Sequence, residues 1–354
     1  MTTNFDTRVV IWGMDRSLSL EDFPTILSMD YDRDIEYLTG RSDISDEDKK
    51  LRNAWRPKNG TSFNIETIKI ESTDFRYISV IGRYELPISS SKAIIDGNLL
   101  PRSYRVFNKT VNAVFFELHE RVYCALEVSS SQAGGVKSIL FGQGYKHKKE
   151  AWGKVEVENL PQFSLDSRFF YWIFSQRGQI LSADLGAENF TVNVLDVSAV
   201  SQLSEREVHD NKNEGPDVLG SISTLSGLGI NQSVYEGGFH LLLSDAQLYF
   251  KLSKNCTCML DSAKSIRTGT TPVVSVTEDF PRLAIMMYTL LIPGLLATFH
   301  RETQSGGTWS ITEEVKQRKN WALQVIDQLA FDNNVSLEDL ERIFEKREEN
   351  ISLE

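Results

Sequence analysis

Cysteine is scarce in this sequence: Cys124, Cys256 and Cys258 are the only three in 354 residues. So sparse and odd a set builds no disulfide framework. The fold must rest on a hydrophobic core, which a chain of this length can bury without staples. Histidine is equally thin. His119, His147, His209, His240 and His300 show neither H-x-x-x-H nor H-E-x-x-H spacing, so zinc-protease chemistry has no starting point. Basic charge is in deficit, with 38 Lys and Arg against 49 Asp and Glu, a formal charge of −11 and a pI near 5.1. A protein held on nucleic acid by overall charge has a pI above about 9, and that class is excluded. Nine prolines and 22 glycines are too few for collagen-like or low-complexity chains.

The opening residues, Met1-Thr2-Thr3-Asn4-Phe5-Asp6, carry no basic n-region and no apolar h-region. The expectation is a cytoplasmic protein with reduced thiols. The Asn-x-Ser/Thr triplets at Asn59, Asn108 and Asn189 then read as unmodified chance matches. Long uncharged apolar runs are also lacking, with one exception. Residues 283–299 hold no charge between Arg282 and His300-Arg301. A helix of that length spans about 25 Å, short of a ~30 Å hydrocarbon core. Pro293-Gly294 near its middle predicts a kink or a break. The leading reading is a buried helix or helix-turn pair; a membrane-inserted segment is the alternative.

What is present is a change of period along the chain. Residues 7–14 are rich in β-branched side chains and read as a strand. Ser19 before Leu20-Glu21-Asp22 resembles a capping box that opens a helix. From about 61 to 130 the apolar residues alternate. Val114–Leu118 and Val122–Leu126 read as the arms of a hairpin around His119-Glu120-Arg121, central in a sheet covered on both faces. Ser164 or Asp166 caps a short helix ending at Gly178. Strands follow at 179–184 and 190–197, then a meander at 239–243, 247–252 and 256–260. Capping boxes at Ser310 and Ser336 open two C-terminal helices, the first with Val315, Ala322, Ile326 and Leu329 on one face. The fold class is α+β. The expected organisation is a mixed α/β unit over 1–200 with a central antiparallel sheet, a flexible polar join over 201–232, and a β-meander with a helical C-terminus over 233–354.

Three segments invite a functional reading. Residues 137–154 carry Lys137, Lys146, Lys148, Lys149 and Lys154 against the single acid Glu150, with Tyr145 and Trp152 interleaved. Ammonium groups for phosphates and flat rings for bases are what a single-stranded nucleic-acid site needs. No Gly-Lys-Ser/Thr follows, so the glycines at 142 and 144 do not form a Walker A loop. Arg102, Tyr104, Arg105, Phe107 and Lys109 form a similar basic-aromatic run. The second segment is the C-terminal helix pair, read as a helical hairpin that packs on the body or docks a protein. Its acidic Ser336–Glu345 helix would be repelled by a DNA duplex. The third is Asp30-Tyr31-Asp32, which lacks the glycine and glutamate of a calcium loop.

Cys256-x-Cys258 has no second ligand pair for zinc, and no cofactor motif occurs. The sequence therefore leads to an intracellular binding or assembly protein. It would contact a nucleic acid, nucleotide or other polyanion through 142–154 and another protein, or a second copy, through its C-terminal helices. A metal-dependent enzyme using Asp30, Asp32 or Glu314 is the first alternative, and a membrane-associated effector using 283–299 is the second.

Overall fold

A computed structural model describes residues 4–143, 146–184, 189–204, 209–243, 245–270 and 272–351. Ten strands form the path of one antiparallel sheet: β1 (Thr7–Gly13), β2 (Ala54–Pro57), β3 (Thr73–Pro87), β4 (Val106–Leu118), β5 (Arg121–Glu127), β6 (Ile180–Asp184), β7 (Asn189–Ser204), β8 (Ser233–Leu243), β9 (Ala246–Ser253) and β10 (Cys258–Leu260). Their spatial order is β6-β7-β8-β9-β10-β1-β5-β4-β3-β2. Three short strands attach outside this path: Glu66–Ile70 on β3, His209–Glu214 on β7 and Ile266–Arg267 on β9. With the helices described below, the architecture is α+β.

β1 joins the two halves. It pairs with β5 through Val9↔Glu127 to Gly13↔Tyr123, and with β10 through Thr7↔Leu260 to Val9↔Cys258. Strands on both sides of the 201–232 stretch are hydrogen-bonded neighbours, because β7 pairs along its length with β8. Within that stretch lie the end of β7, the strand His209–Glu214 and a helix at 222–229. Several of its residues are buried, among them Ser201, Gln202, Thr224, Leu225 and Leu228.

The helices are α1 (Phe23–Leu27), α2 (Ser130–Ile139), α3 (Lys146–Trp152), α4 (Ser167–Ser175), α5 (Ile222–Gly229), α6 (Val276–Thr303), α7 (Ile311–Asp332) and α8 (Leu337–Ile351). Alternate residues of β1 point to opposite faces. Val9 and Ile11 enter a large core with α4 and α6, whereas Val10 and Trp12 enter a second core under α1, α2 and α3. This second core covers the β2–β5 half of its face. On the same face of the other half, His240, Leu242, Gln247 and Tyr249 remain half-exposed.

The apolar run 283–299 lies inside α6. The whole 28-residue helix is long and apolar enough to cross a bilayer, but 78% of its apolar window is buried in the protein. Tyr288 is fully buried, and its hydroxyl donates to Val9 O (3.1 Å) and Cys256 O (3.0 Å). The helix continues through Pro293 rather than breaking there. Proline supplies no donor to the carbonyl four residues back, and its ring clashes with that carbonyl in a regular helix. Residues Met286–Leu291 adopt wider π turns just before it, and Ile292 N–H bonds Met287 O five residues back. Gly294 then lets the helix approach the sheet, since a Cβ there would meet the Phe190 ring at 2.5 Å.

The hairpin at 118–121 turns on two residues, not three, with Arg121 already paired to Leu118. Both turn residues, His119 and Glu120, have positive φ (49° and 59°). A type I′ turn favours Asn-Gly at these positions, because the left-handed region costs an ordinary L-residue roughly 1–2 kcal/mol. Glu120→Gly is therefore expected to stabilise the protein by about 1 kcal/mol. Urea unfolding should show a higher midpoint with an unchanged m-value.

Candidate functional site

The lysine segment is built from its buried end. Trp152 closes α3 and is fully buried, and its indole N–H donates to Tyr31 Oη (2.9 Å). The ring lies 4.7 Å from Phe141 and 5.8 Å from Phe23. Burial pushes the Tyr31 hydroxyl up, so it stays protonated. Trp152 is thus an anchor and offers no face to a base. It holds α3 on the body with Lys149 exposed on the outer side. Tyr145 lies outside the described residues, as do the side chains of Lys146 and Lys148. Lys137 is half-buried at the end of α2.

Lys154 is exposed but engaged. Its ammonium pairs with Glu156 (2.8 Å), and its backbone N–H donates to Asp15 Oδ2 (2.7 Å). The other Glu156 oxygen takes a bond from the buried Arg121 (2.8 Å), whose Nε also donates to Met14 O (3.0 Å). The bonds from Lys154 and Arg121 hold the Glu156 carboxyl down at about 2.

The second basic run is more fully consumed. Arg102–Arg105 is a single helical turn. Arg102 pairs with Glu85 and donates to Asp48 O (3.3 Å). Arg105 is 2% exposed and donates to Asp48 O (3.0 Å) and Leu100 O (3.2 Å). Both arginines brace the 41–48 loop rather than present free guanidinium groups. Tyr104, Phe107 and Lys109 are exposed. A buried arginine and an exposed one have the same sequence signature, so only the fold separates them.

The acids considered for metal binding are likewise partnered. Asp30 accepts from Asp32 N (2.8 Å), Asp32 from Asn53 N (2.7 Å), and Glu314 from Arg168 Nε (2.7 Å). Among the described residues, no group of three His, Cys, Asp or Glu could hold a metal ion. Cys256 and Cys258 are free and buried, and burial pushes the Cys258 thiol up to about 12. A thiol so shielded is a poor nucleophile and a poor ligand.

The C-terminal helices depart from the rest of the surface. Ser310 caps α7 by accepting from Glu313 N (3.2 Å), and Ser336 and Asp339 exchange bonds at the start of α8. α7 packs on the body through Glu314, Trp321 and Val325, with the Trp321 ring 5.7 Å from Tyr171 and Ala322 against Gly229. Of the apolar face that spacing marks on this helix, Ala322 is half-buried while Val315, Ile326 and Leu329 are exposed. Beyond Val325 α7 is exposed apart from half-buried Ala330. The described side chains of α8 are exposed apart from half-buried Leu340. Between α4 and α7 lies a cleft of 460 Å³ lined by Arg168, Tyr171, Ile230, Gln232 and Glu314. The Arg168–Glu314 pair crosses it, and the Tyr171 hydroxyl donates to Gln232 O (2.9 Å).

A depressed carboxyl stabilises the fold above its unfolded pKa and loses that contribution as pH falls through its folded pKa. Glu156→Gln is therefore expected to be less stable than the parent at neutral pH. The two should converge as pH falls from the ordinary glutamate range toward about 2. Equilibrium unfolding across that range measures the difference.

Compared with known proteins, the chain matches no family model, and no curated protein is detectably similar to it.

Proposed function

We propose that this chain is a binding and assembly protein whose working surface is the α7–α8 helix pair. One observation carries the reading. Of the seventeen large apolar side chains exposed among the described residues, nine fall between Ile311 and Ile343. Scattered single apolar residues are normal on a protein surface, whereas a concentration of them marks an interaction face. Each leucine or isoleucine left in water forgoes roughly 1.5–3 kcal/mol of burial. A partner that covers even a few recovers enough to offset the cost of association. The surrounding charges, six acidic and three basic on α8, supply the polar rim of such a surface.

A second reading, contact with a polyanion at α3, draws support from the exposed Lys149 and the local surplus of lysine. It lacks a stacking contribution from Trp152. The enzyme alternative has the weakest support, because its candidate acids already serve structural partners.

Ile326→Glu with Ile343→Glu is expected to leave the fold intact, since both positions are exposed, and to abolish capture of protein partners. Affinity purification from the native host, followed by mass spectrometry, compares parent and variant. Identical partner sets would refute the docking reading. For the second reading, Lys146→Glu, Lys148→Glu and Lys149→Glu together are expected to abolish oligonucleotide binding in a salt titration, where each phosphate contact contributes a slope of about −0.7. Unchanged salt-dependent affinity would remove it.

A further inference from the structure

We propose that the cleft between α4 and α7 binds a small polyhydroxylated anion, a sugar phosphate or a sugar acid, whose oxyanion is held by Arg168 and Arg318. The site is separate from the exposed apolar face of α7 and α8 and does not depend on what that face does.

Four stretches far apart in the chain build the cleft. Arg168 and Tyr171 come from α4, Leu203 from the end of β7, Ile230 and Gln232 from the turn before β8, and Glu314 from α7. They are tied to one another without a ligand. Ser167 Oγ accepts from Val234 N (2.9 Å), the Tyr171 hydroxyl donates to Gln232 O (2.9 Å), and Arg168 Nε donates to Glu314 (2.7 Å). Walls fixed in this way lose little freedom on binding. The volume of 460 Å³ lies within the range of about 300–1,000 Å³ usual for small-ligand clefts.

Charge selects an anion. Among the described lining residues, Arg168 is the one base and Glu314 the one acid. Glu314 is buried and takes the Nε edge of Arg168, whose side chain is 42% exposed. Among the described residues the Arg168 Nη groups have no acceptor, so the outer edge of a guanidinium already fixed in place is left over. Arg318 lies one turn along α7 from Glu314, on the same face. It is half-buried, its Nε is buried without an acceptor, and among the described residues it forms no ion pair. Burial pushes the Tyr171 hydroxyl up, while the Arg318 charge beside it pulls the other way, which puts Arg318 next to the cleft wall. Two guanidinium groups are thus balanced by one carboxylate. A cation taken out of water without a counter-charge is costly, and an oxyanion accepting from both groups offsets that cost.

The rest of the lining selects the body of the ligand. Ser167, Asn231, Gln232 and Ser233 are polar, and Gln232 Oε1 is buried without a donor. Leu203 and Ile230 are the aliphatic members. Hydroxyl groups both donate and accept, so a polyol suits these walls better than an apolar body. Tyr171 is the one aromatic residue among the described lining residues, and it is fully buried, which leaves no ring face to stack a nucleobase.

Isothermal titration calorimetry on the full chain, with ionic strength held constant, tests this with glucose 6-phosphate, gluconate and glucose. At least one of the two anions is expected to bind one to one, and glucose at least about tenfold more weakly, since it lacks the oxyanion. Which anion binds tells a phosphate from a carboxylate. Ile230 is 70% exposed, so its substitution spares the core. Ile230→Lys should tighten anion binding and Ile230→Glu should weaken it, each by about threefold or more. Arg318→Gln leaves the Arg168–Glu314 pair in place and should weaken the anion about tenfold. Absence of saturable binding by either anion up to about 10 mM, equal binding of glucose, or indifference to the charge at position 230 overturns the inference.

Discussion

Everything in this molecule depends on where the seventh to thirteenth residues hydrogen-bond. β1 pairs on one side with β5 and on the other with β10, some 250 residues later, so the two halves of the sheet exist as one only through it. The pairing is reinforced from above. The Tyr288 hydroxyl reaches both Val9 O and Cys256 O, binding the buried helix α6 to the strand and to the turn before its distant neighbour. Removing β1 would leave two sheets with raw edges facing one another across an apolar interior.

That constraint determines how the helices are used. An antiparallel sheet needs one face buried and can leave part of the other to solvent. α4 and α6 cover one face along both halves, and the composition of α6 follows from its place: lipid-like apolarity, π turns ahead of Pro293, and a glycine where it meets Phe190. Aromatic packing around Trp152, Phe141, Phe115 and Trp55 covers half of the other face. The body thereby consumes most of the groups that looked chemically promising. Arg102, Arg105, Arg121, Asp32 and Glu314 each satisfy a loop, a strand end or a neighbouring helix. Among the described residues, the densest group of exposed large apolar side chains lies on α7, α8 and the link between them.

Local signals were legible. The central hairpin, the meander after residue 233, the caps at Asp166, Ser310 and Ser336, and the burial of 283–299 all follow from period, capping chemistry and length. Their physical basis lies within a few residues of chain, so one sequence carries it. In the basic-aromatic run around 142–154, Trp152 turns inward, because the space between Phe23, Phe115 and Phe141 is formed by three separate elements. The α7 stripe is marked by spacing, yet the helix docks mainly by the neighbouring stripe of Glu314, Trp321 and Val325, with Ala322 at the border of the two against Gly229.

By itself, then, the sequence determined the α+β class, the positions of most strands and helices, and the acidic charge that excludes a uniformly basic surface. Tertiary structure alone decided that Thr7–Gly13 sits at the centre of one continuous sheet, which arginines are buried, and which face of α7 is left open. The physical reason is range. Helix caps, turns and alternation are set by neighbours along the chain. Strand partners and buried charges are set by whatever the chain brings back from far away, and the entropy of closing such long loops is offset only by the assembled core.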